Sequence, residues 1–263
     1  MGAVHGVYLK YVALGALSGI GYTFFAENDS SVFSSLASNL PFVRHGIALS
    51  FAYSTVLNLL IAGLFQLRWG MGMIGKDRKT GQIPFWSYIV YFPFHLPTIV
   101  YTHVHTQVGL AKGDSSHKVP VASEVQPGWW VGGWYSYQLN KEWGGVIDLT
   151  VEFPELCFSQ SKAYLSLPSW DGVPANPAQL EEAAKFAVEA KKNGPVLIHC
   201  AHGRGRSTTV MCAALVKAGL YPTWHEAFEK GIKPGRPVCK LNSMMRKALS
   251  EWQKTYVEGK KSD

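Results

Sequence analysis

Charge is spread very unevenly along this chain of 263 residues, and that constrains its fold more than any other feature. Residues 1–101 carry six Lys or Arg and three acids, whereas from Pro120 onward there are 17 basic and 14 acidic residues. A poorly charged half followed by one of ordinary charge density points to a membrane region and then a water-soluble domain. Val7 to Ala26 contains one charge, Lys10, near its outer end where a long stem can snorkel, and Gly46 to Leu67 contains none. Each approaches the roughly 20 residues needed to cross a hydrocarbon core about 30 Å thick. The first could instead be a cleaved signal peptide, but its positive n-region is thin and a second apolar stretch follows. Met1-Gly2 begins like a myristoylation signal, yet position 6 is Gly6 rather than Ser or Thr.

A third apolar stretch, Ile83 to Thr102, is rich in aromatic residues and broken by Pro93 and Pro97. It could span, re-enter or lie in the interface, where aromatic rings prefer to sit. Arg68, Lys76, Arg78 and Lys79 follow the second stretch and only Asp77 offsets them, so the positive-inside rule assigns that loop to the cytoplasm or its organellar equivalent. Two spans with an interfacial third segment keep the C-terminal domain on that side; three full spans reverse it. The resulting division is a membrane-anchoring region over 1–102 with two or three hydrophobic helices, a polar connector over 103–122 that includes Gly113-Asp114-Ser115-Ser116, a domain over 123–255, and a polar tail over 256–263.

Within the domain, strands and helices alternate. Gly145 to Thr150 and Tyr164 to Pro168 read as buried strands. Asn176-Pro177-Ala178-Gln179 carries a cap, a proline at the first helical position and a capping-box residue. Leu180, Ala183, Ala184, Ala187 and Val188 then recur at helical spacing. Pro195 to His199 is a short apolar run of the kind buried in parallel sheets. Ser207 to Ala218 is expected to be helical, Thr223 to Glu226 forms a second capping box, and Leu241 to Trp252 carries the apolar stripe of a last helix. The pattern predicts an α/β sandwich with a mostly parallel central sheet, preceded by N-terminal transmembrane helices. The four cysteines, at 157, 200, 212 and 239, form neither a metal-site pattern nor a disulfide framework. The net charge of +7 suits an anionic partner but is too diffuse for nucleic acid.

Between the strand ending at His199 and the helix near Ser207 lies Cys200-Ala201-His202-Gly203-Arg204-Gly205-Arg206. A tight loop here turns backbone N–H groups inward as an anion cradle, and the helix N-terminus adds further donors. Gly203 and Gly205 permit the torsions such a loop demands. Arg206 can hold two phosphate oxygens in a fork. Cys200 at the base would be stabilised as a thiolate, a nucleophile for phosphoryl transfer.

His199-Cys200, five residues, then Arg206-Ser207 resembles the HCx5R[ST] signature of protein tyrosine phosphatases, and Gly203 to Ser207 is similar to their dual-specificity branch. The resemblance covers roughly residues 123–255, including Trp129 to Gly133 and Arg236-Pro237-Val238. It implies a cysteine-dependent phosphomonoester hydrolase acting through a phosphocysteine, with no metal or other cofactor. Cys200 would be the nucleophile, Ala201 to Arg206 would bind phosphate, and Ser207 would be the hydroxyl that assists thiolate departure. His199 would orient the loop. The family's general acid lies about 30 residues upstream; Asp171 in Ser169-Trp170-Asp171-Gly172 fits at 29. Asp148 is its nearest rival but lies within a strand. A nucleophilic thiol also needs a reducing compartment, so the domain is expected to face the cytosol or an equivalent.

His202 and Arg204 add basic groups to the loop, and the N-terminal anchor confines the site near a bilayer. Both favour a phospholipid phosphate as substrate, with a membrane-tethered phosphoprotein phosphatase as the alternative. A phosphate-binding scaffold without catalysis would be expected to lack Cys, Arg or Asp, and all three are here. A rhodanese-like sulfurtransferase would not need Asp171.

Overall fold

The computed structural model describes residues 3–27, 41–111 and 118–259; Gly113 to Ser116 of the expected connector lie outside them. Two long antiparallel helices, α1 (Ala3–Glu27) and α2 (Pro41–Leu67), open the chain. Segments Gly6–Ala26 and Phe42–Leu67 of these helices are long and apolar enough to cross a bilayer. Small residues let them approach closely: a Cβ on Gly15 would meet Leu59 Cγ at 3.1 Å, and one on Gly21 would meet Phe51 Cδ1 at 2.7 Å. Their outward faces carry exposed Leu17, Ile20, Leu49 and Val56.

The aromatic third stretch forms a short helix, α3 (Phe85–Val90), and a longer one, α4 (Phe92–Ala111), which contains Pro97. Helix α4 therefore runs through the first part of the expected polar connector. His103 Nδ1 pairs with Tyr135 Oη at 2.8 Å, which ties this helix to the domain that follows.

That domain is built on a five-stranded sheet of β1 (Ala122–Gln126), β2 (Trp129–Gly132), β3 (Gly145–Thr150), β4 (Tyr164–Ser169) and β5 (Val196–His199), in the order β1-β2-β5-β3-β4. Only the β1–β2 pair is antiparallel. Helices α5 (Pro177–Lys191), α6 (Arg206–Lys217) and α7 (Ser243–Gln253) bury Leu180, Ala184, Leu215 and Leu249 with Ile147 and Ile198 from one face of the sheet. Alternation sends Val146 and Leu197 to the other face, beside Trp143 and Cys157. The expected capping box at Asn176 is formed in both directions with Gln179. At Thr223 the side chain accepts from Glu226 N–H.

The two halves of the chain are joined by more than a tether. Trp170 is buried against Phe65 and Phe94, with ring centroids 4.8 and 5.8 Å away, and its indole N–H donates to the Trp69 carbonyl at 2.8 Å. Lys76 leaves the basic loop after α2 and inserts under the sheet's C-terminal edge. There its ammonium pairs with Asp148 and donates to the Thr150 carbonyl at 2.8 Å and hydroxyl at 3.0 Å. Both side chains are buried. Removing one member of a buried pair leaves an uncompensated charge and costs about 3–5 kcal/mol. Lys76→Met is therefore expected to destabilise the detergent-solubilised chain by that order, and adding Asp148→Asn to recover most of the loss. Denaturant titration measures both; a Lys76→Met chain within about 1 kcal/mol of wild type would contradict the joint described here.

Candidate active site

The loop from Cys200 to Gly205 leaves the central strand β5 and enters α6. Its carbonyls are pinned outward one by one. Ala201 O accepts from Trp134 N–H at 3.0 Å, and Arg204 O from Lys240 N–H at 2.8 Å. Buried Arg236 takes the two between, donating from Nη2 to His202 O at 3.2 Å and from Nε to Gly203 O at 2.8 Å. Because the N–H and C=O of one peptide point in opposite directions, this turns the following amides toward the bowl. Gly203 sits at φ +64°, and a Cβ there would meet the Gly132 carbonyl carbon at 2.5 Å. Gly205 lies at φ −124° and ψ −72°, and a Cβ there would meet Met245 Cε at 3.0 Å.

Cys200 is buried at the base of the bowl, with Sγ 3.4 Å from Ser207 Oγ. Burial alone would raise its thiol. The Arg206 guanidinium, the Ser207 hydroxyl and the backbone N–H groups of Ser207 and Arg204 outweigh burial and hold the thiol below its ordinary range. The other three cysteines are all pushed upward by burial, Cys239 to about 11.

Arg206 is buried, and its charge is held by a partner that the sequence reading did not single out. Glu152 accepts end-on from both terminal nitrogens, at 3.2 Å from Nη1 and 2.5 Å from Nη2. Nη1 also donates to the Leu149 and Ser169 carbonyls at 3.0 and 2.6 Å. Nε is buried without a partner among the described residues. The side-on edge, Nε with the remaining Nη2 hydrogen, is thus left for an anion, and Glu152 fixes which edge that is. A lone acid in the apolar run Val151 to Phe153 was the signal available in the sequence.

Asp171 lies on the loop after β4, with Oδ1 3.5 Å from Arg206 Nη2, and is partly exposed. Burial favours its neutral form, but Arg206 overrides this and holds the carboxyl below its usual range. Trp170 on one side and Asn242, donating to Gly172 O at 2.9 Å, on the other fix the loop that carries it. Asp148, the rival candidate, is fully buried and committed to Lys76, Thr150 and Tyr164.

His199 lies below the loop, its Nε2 2.6 Å from Glu155 Oε2 and 3.9 Å from Asp148 Oδ1. Burial lowers its basicity, but the two carboxylates outweigh this and push it up to about 9. Asp148, Glu155 and His199 bring metal-type ligand atoms within 4.8 Å of one another. The Lys76 ammonium already supplies positive charge there. His202 differs from the expectation of added charge: burial pushes its imidazole down to about 3. It contributes backbone and a neutral ring packed 4.5 Å from that of His105, while Arg204 lines the cleft beside it.

The chemistry of the bowl gives a direct expectation. At about pH 6.5, iodoacetamide should alkylate Cys200 at least ~100-fold faster than the other cysteines of the folded chain. Peptide mass spectrometry reads the order; equal modification of Cys212 or Cys239 would show that the bowl does not activate its thiol.

Residues 159–223 match the protein-tyrosine phosphatase family model. Among solved structures, human DUSP28 is similar, at 22% identity over 52% of this chain and 95% of its own, with a TM-score of 0.43. A mouse putative dual specificity phosphatase complexed with zinc tungstate is 21% identical over 57% of this chain and 97% of its own, with a TM-score of 0.48. PTPMT1 in complex with PI(5)P is 19% identical over 54% and 99%, with a TM-score of 0.45. A search of curated proteins gives no match.

Proposed function

We propose that this chain is a phosphatase of the dual-specificity protein-tyrosine-phosphatase type, a reading that the match of residues 159–223 to the protein-tyrosine phosphatase family model supports, and that it hydrolyses the phosphate monoester of a phospholipid at a bilayer surface. Cys200, Arg206, Asp171 and Ser207 carry the reaction, and the amides from Ala201 to Arg206 cradle the phosphate. The observation that carries the lipid reading is the clamp on the acid loop. Trp170, next to Asp171, is wedged between Phe65 of α2 and Phe94 of α4. The reacting centre is thus held against the end of α2, one of the two described helices long and apolar enough to cross a bilayer.

In the proposed reaction the phosphate dianion occupies the bowl and the free edge of Arg206. Its charge offsets the pull of Arg206 on Asp171, so Asp171 takes up a proton as substrate binds. The Cys200 thiolate attacks phosphorus, the S–P bond forms, the P–O bond breaks, and Asp171 gives its proton to the departing alkoxide. Asp171, now a carboxylate, takes a proton from water, which attacks phosphorus and releases the thiolate. Ser207 donates to the sulfur as it leaves, and inorganic phosphate departs.

An alkoxide needs that proton and an activated phenolate does not. Asp171→Ala is therefore expected to lower turnover of a vesicle-borne alkyl phosphate lipid by about 10²-fold or more, and of an activated aryl phosphate by less than ~10-fold. In the free enzyme Arg206 holds Asp171 low, so kcat/KM should be highest on the acid side of neutrality, fall as Asp171 deprotonates with rising pH, and lose that basic limb in the variant. An unchanged ratio of the two substrates would remove Asp171 from the role. Preference for phosphopeptides over the lipid would overturn the substrate reading while leaving the chemistry in place.

A further inference from the structure

The catalytic cleft, about 460 Å³, is lined by Cys200, Arg204 and Arg206. Beside it lies a second chamber of about 310 Å³, at the lower end of the range for ligand pockets. Its walls come from the N-terminal helices, with Leu14 and Leu17 of α1, Phe65 of α2, and Phe94 and Pro97 of α4. Its catalytic end is formed by Glu152, Trp170, Asp171 and His202. Val7, Asp171 and His202 line both spaces, so the chamber and the cleft meet at the acid.

That meeting point determines what the chamber is for. The group that protonates a leaving oxygen must face it, so the rest of the leaving group extends beyond Asp171, on the side where the apolar chamber begins. The chamber also holds one ammonium, that of Lys10 on α1, which sits 4.3 Å from the centre of the Tyr101 ring on α4. An apolar space between two helices, with a cation on its wall and the proposed acid at one end, matches a molecule whose anionic head is joined through polar esters to hydrocarbon.

We infer that this chamber receives the glycerol esters and first acyl segment of a phospholipid whose phosphate monoester lies over Cys200, and that Lys10 is a specificity-determining residue holding the polar oxygens between phosphate and chains. This rests on the lipid reading above. On this account α1 and α4 are two walls of the substrate site as well as an anchor, and the lipid reaches the thiolate from between them.

The test uses the full chain in mixed detergent micelles, with long-chain phosphatidic acid and soluble p-nitrophenyl phosphate as probes. Ala13→Trp fills the chamber from α1, and Lys10→Met removes the cation. Each variant is expected to lower the ratio of lipid to aryl kcat/KM by about 10-fold or more, with the loss appearing in KM for the lipid. If wild type hydrolyses the lipid and both variants keep its ratio, or lose both substrates equally, the chamber is not the lipid site, though the lipid reading stands. If wild type turns over phosphopeptide and aryl phosphate but not phosphatidic acid, both readings fall. Should Ala13→Trp not fold, Lys10→Met alone decides between these outcomes.

Discussion

A guanidinium buried under a bowl of backbone amides must be neutralised before the chain can close around it, and in this protein Glu152 does so. The pair, at 2.5 Å, sets three properties of the site. It commits one edge of Arg206 and leaves the other for an anion. It keeps a cation close enough to Cys200 to outweigh the desolvation of the thiol. It also places that cation beside Asp171, whose carboxyl it holds below its usual range. The proposed nucleophile and the proposed acid are thus both tuned by one charge, whose position depends on a carboxylate just after strand β3.

A second set of buried charges supports the loop from below. Lys76 and His199 face Asp148 and Glu155, and Asp148 and His199 are register partners on adjacent strands β3 and β5. Their side chains point to the sheet face away from α5, α6 and α7. One member, Lys76, belongs to the segment between the long N-terminal helices and the domain. The catalytic half is therefore electrostatically complete only with the first hundred residues present, and a boundary drawn at residue 102 cuts through the network and through helix α4.

How far the sequence could be read follows from the separation of the partners. Cys200 to Ser207 was legible because strand, loop and helix are contiguous and each residue type there has a local reason. Asp171 was legible by its spacing and its turn. Glu152 reaches Arg206 across 54 positions, and Lys76 reaches Asp148 across 72, so no local pattern announces either. Lys76 had an ordinary reading as one of four cations setting orientation, yet it is the one turned inward, while Arg78 and Lys79 remain exposed. His202 looked like added charge by its type; its burial against His105 and Tyr101 is a property of the packed helices. The Arg236-Pro237 pair was visible, but its task of fixing two loop carbonyls appears only once 33 residues of chain have folded back.

The proposed reaction turns on a covalent phosphoryl group at Cys200, drawn from a lipid. The most direct measurement is rapid acid quench of the full chain with a vesicle-borne phosphatidic acid, followed by peptide mass spectrometry. A burst of one phosphoryl mass on the peptide containing Cys200, absent in Cys200→Ser, is the expected result. Lipid hydrolysis at the wild-type rate by Cys200→Ser, or a phosphoryl group trapped on any other residue, would contradict it.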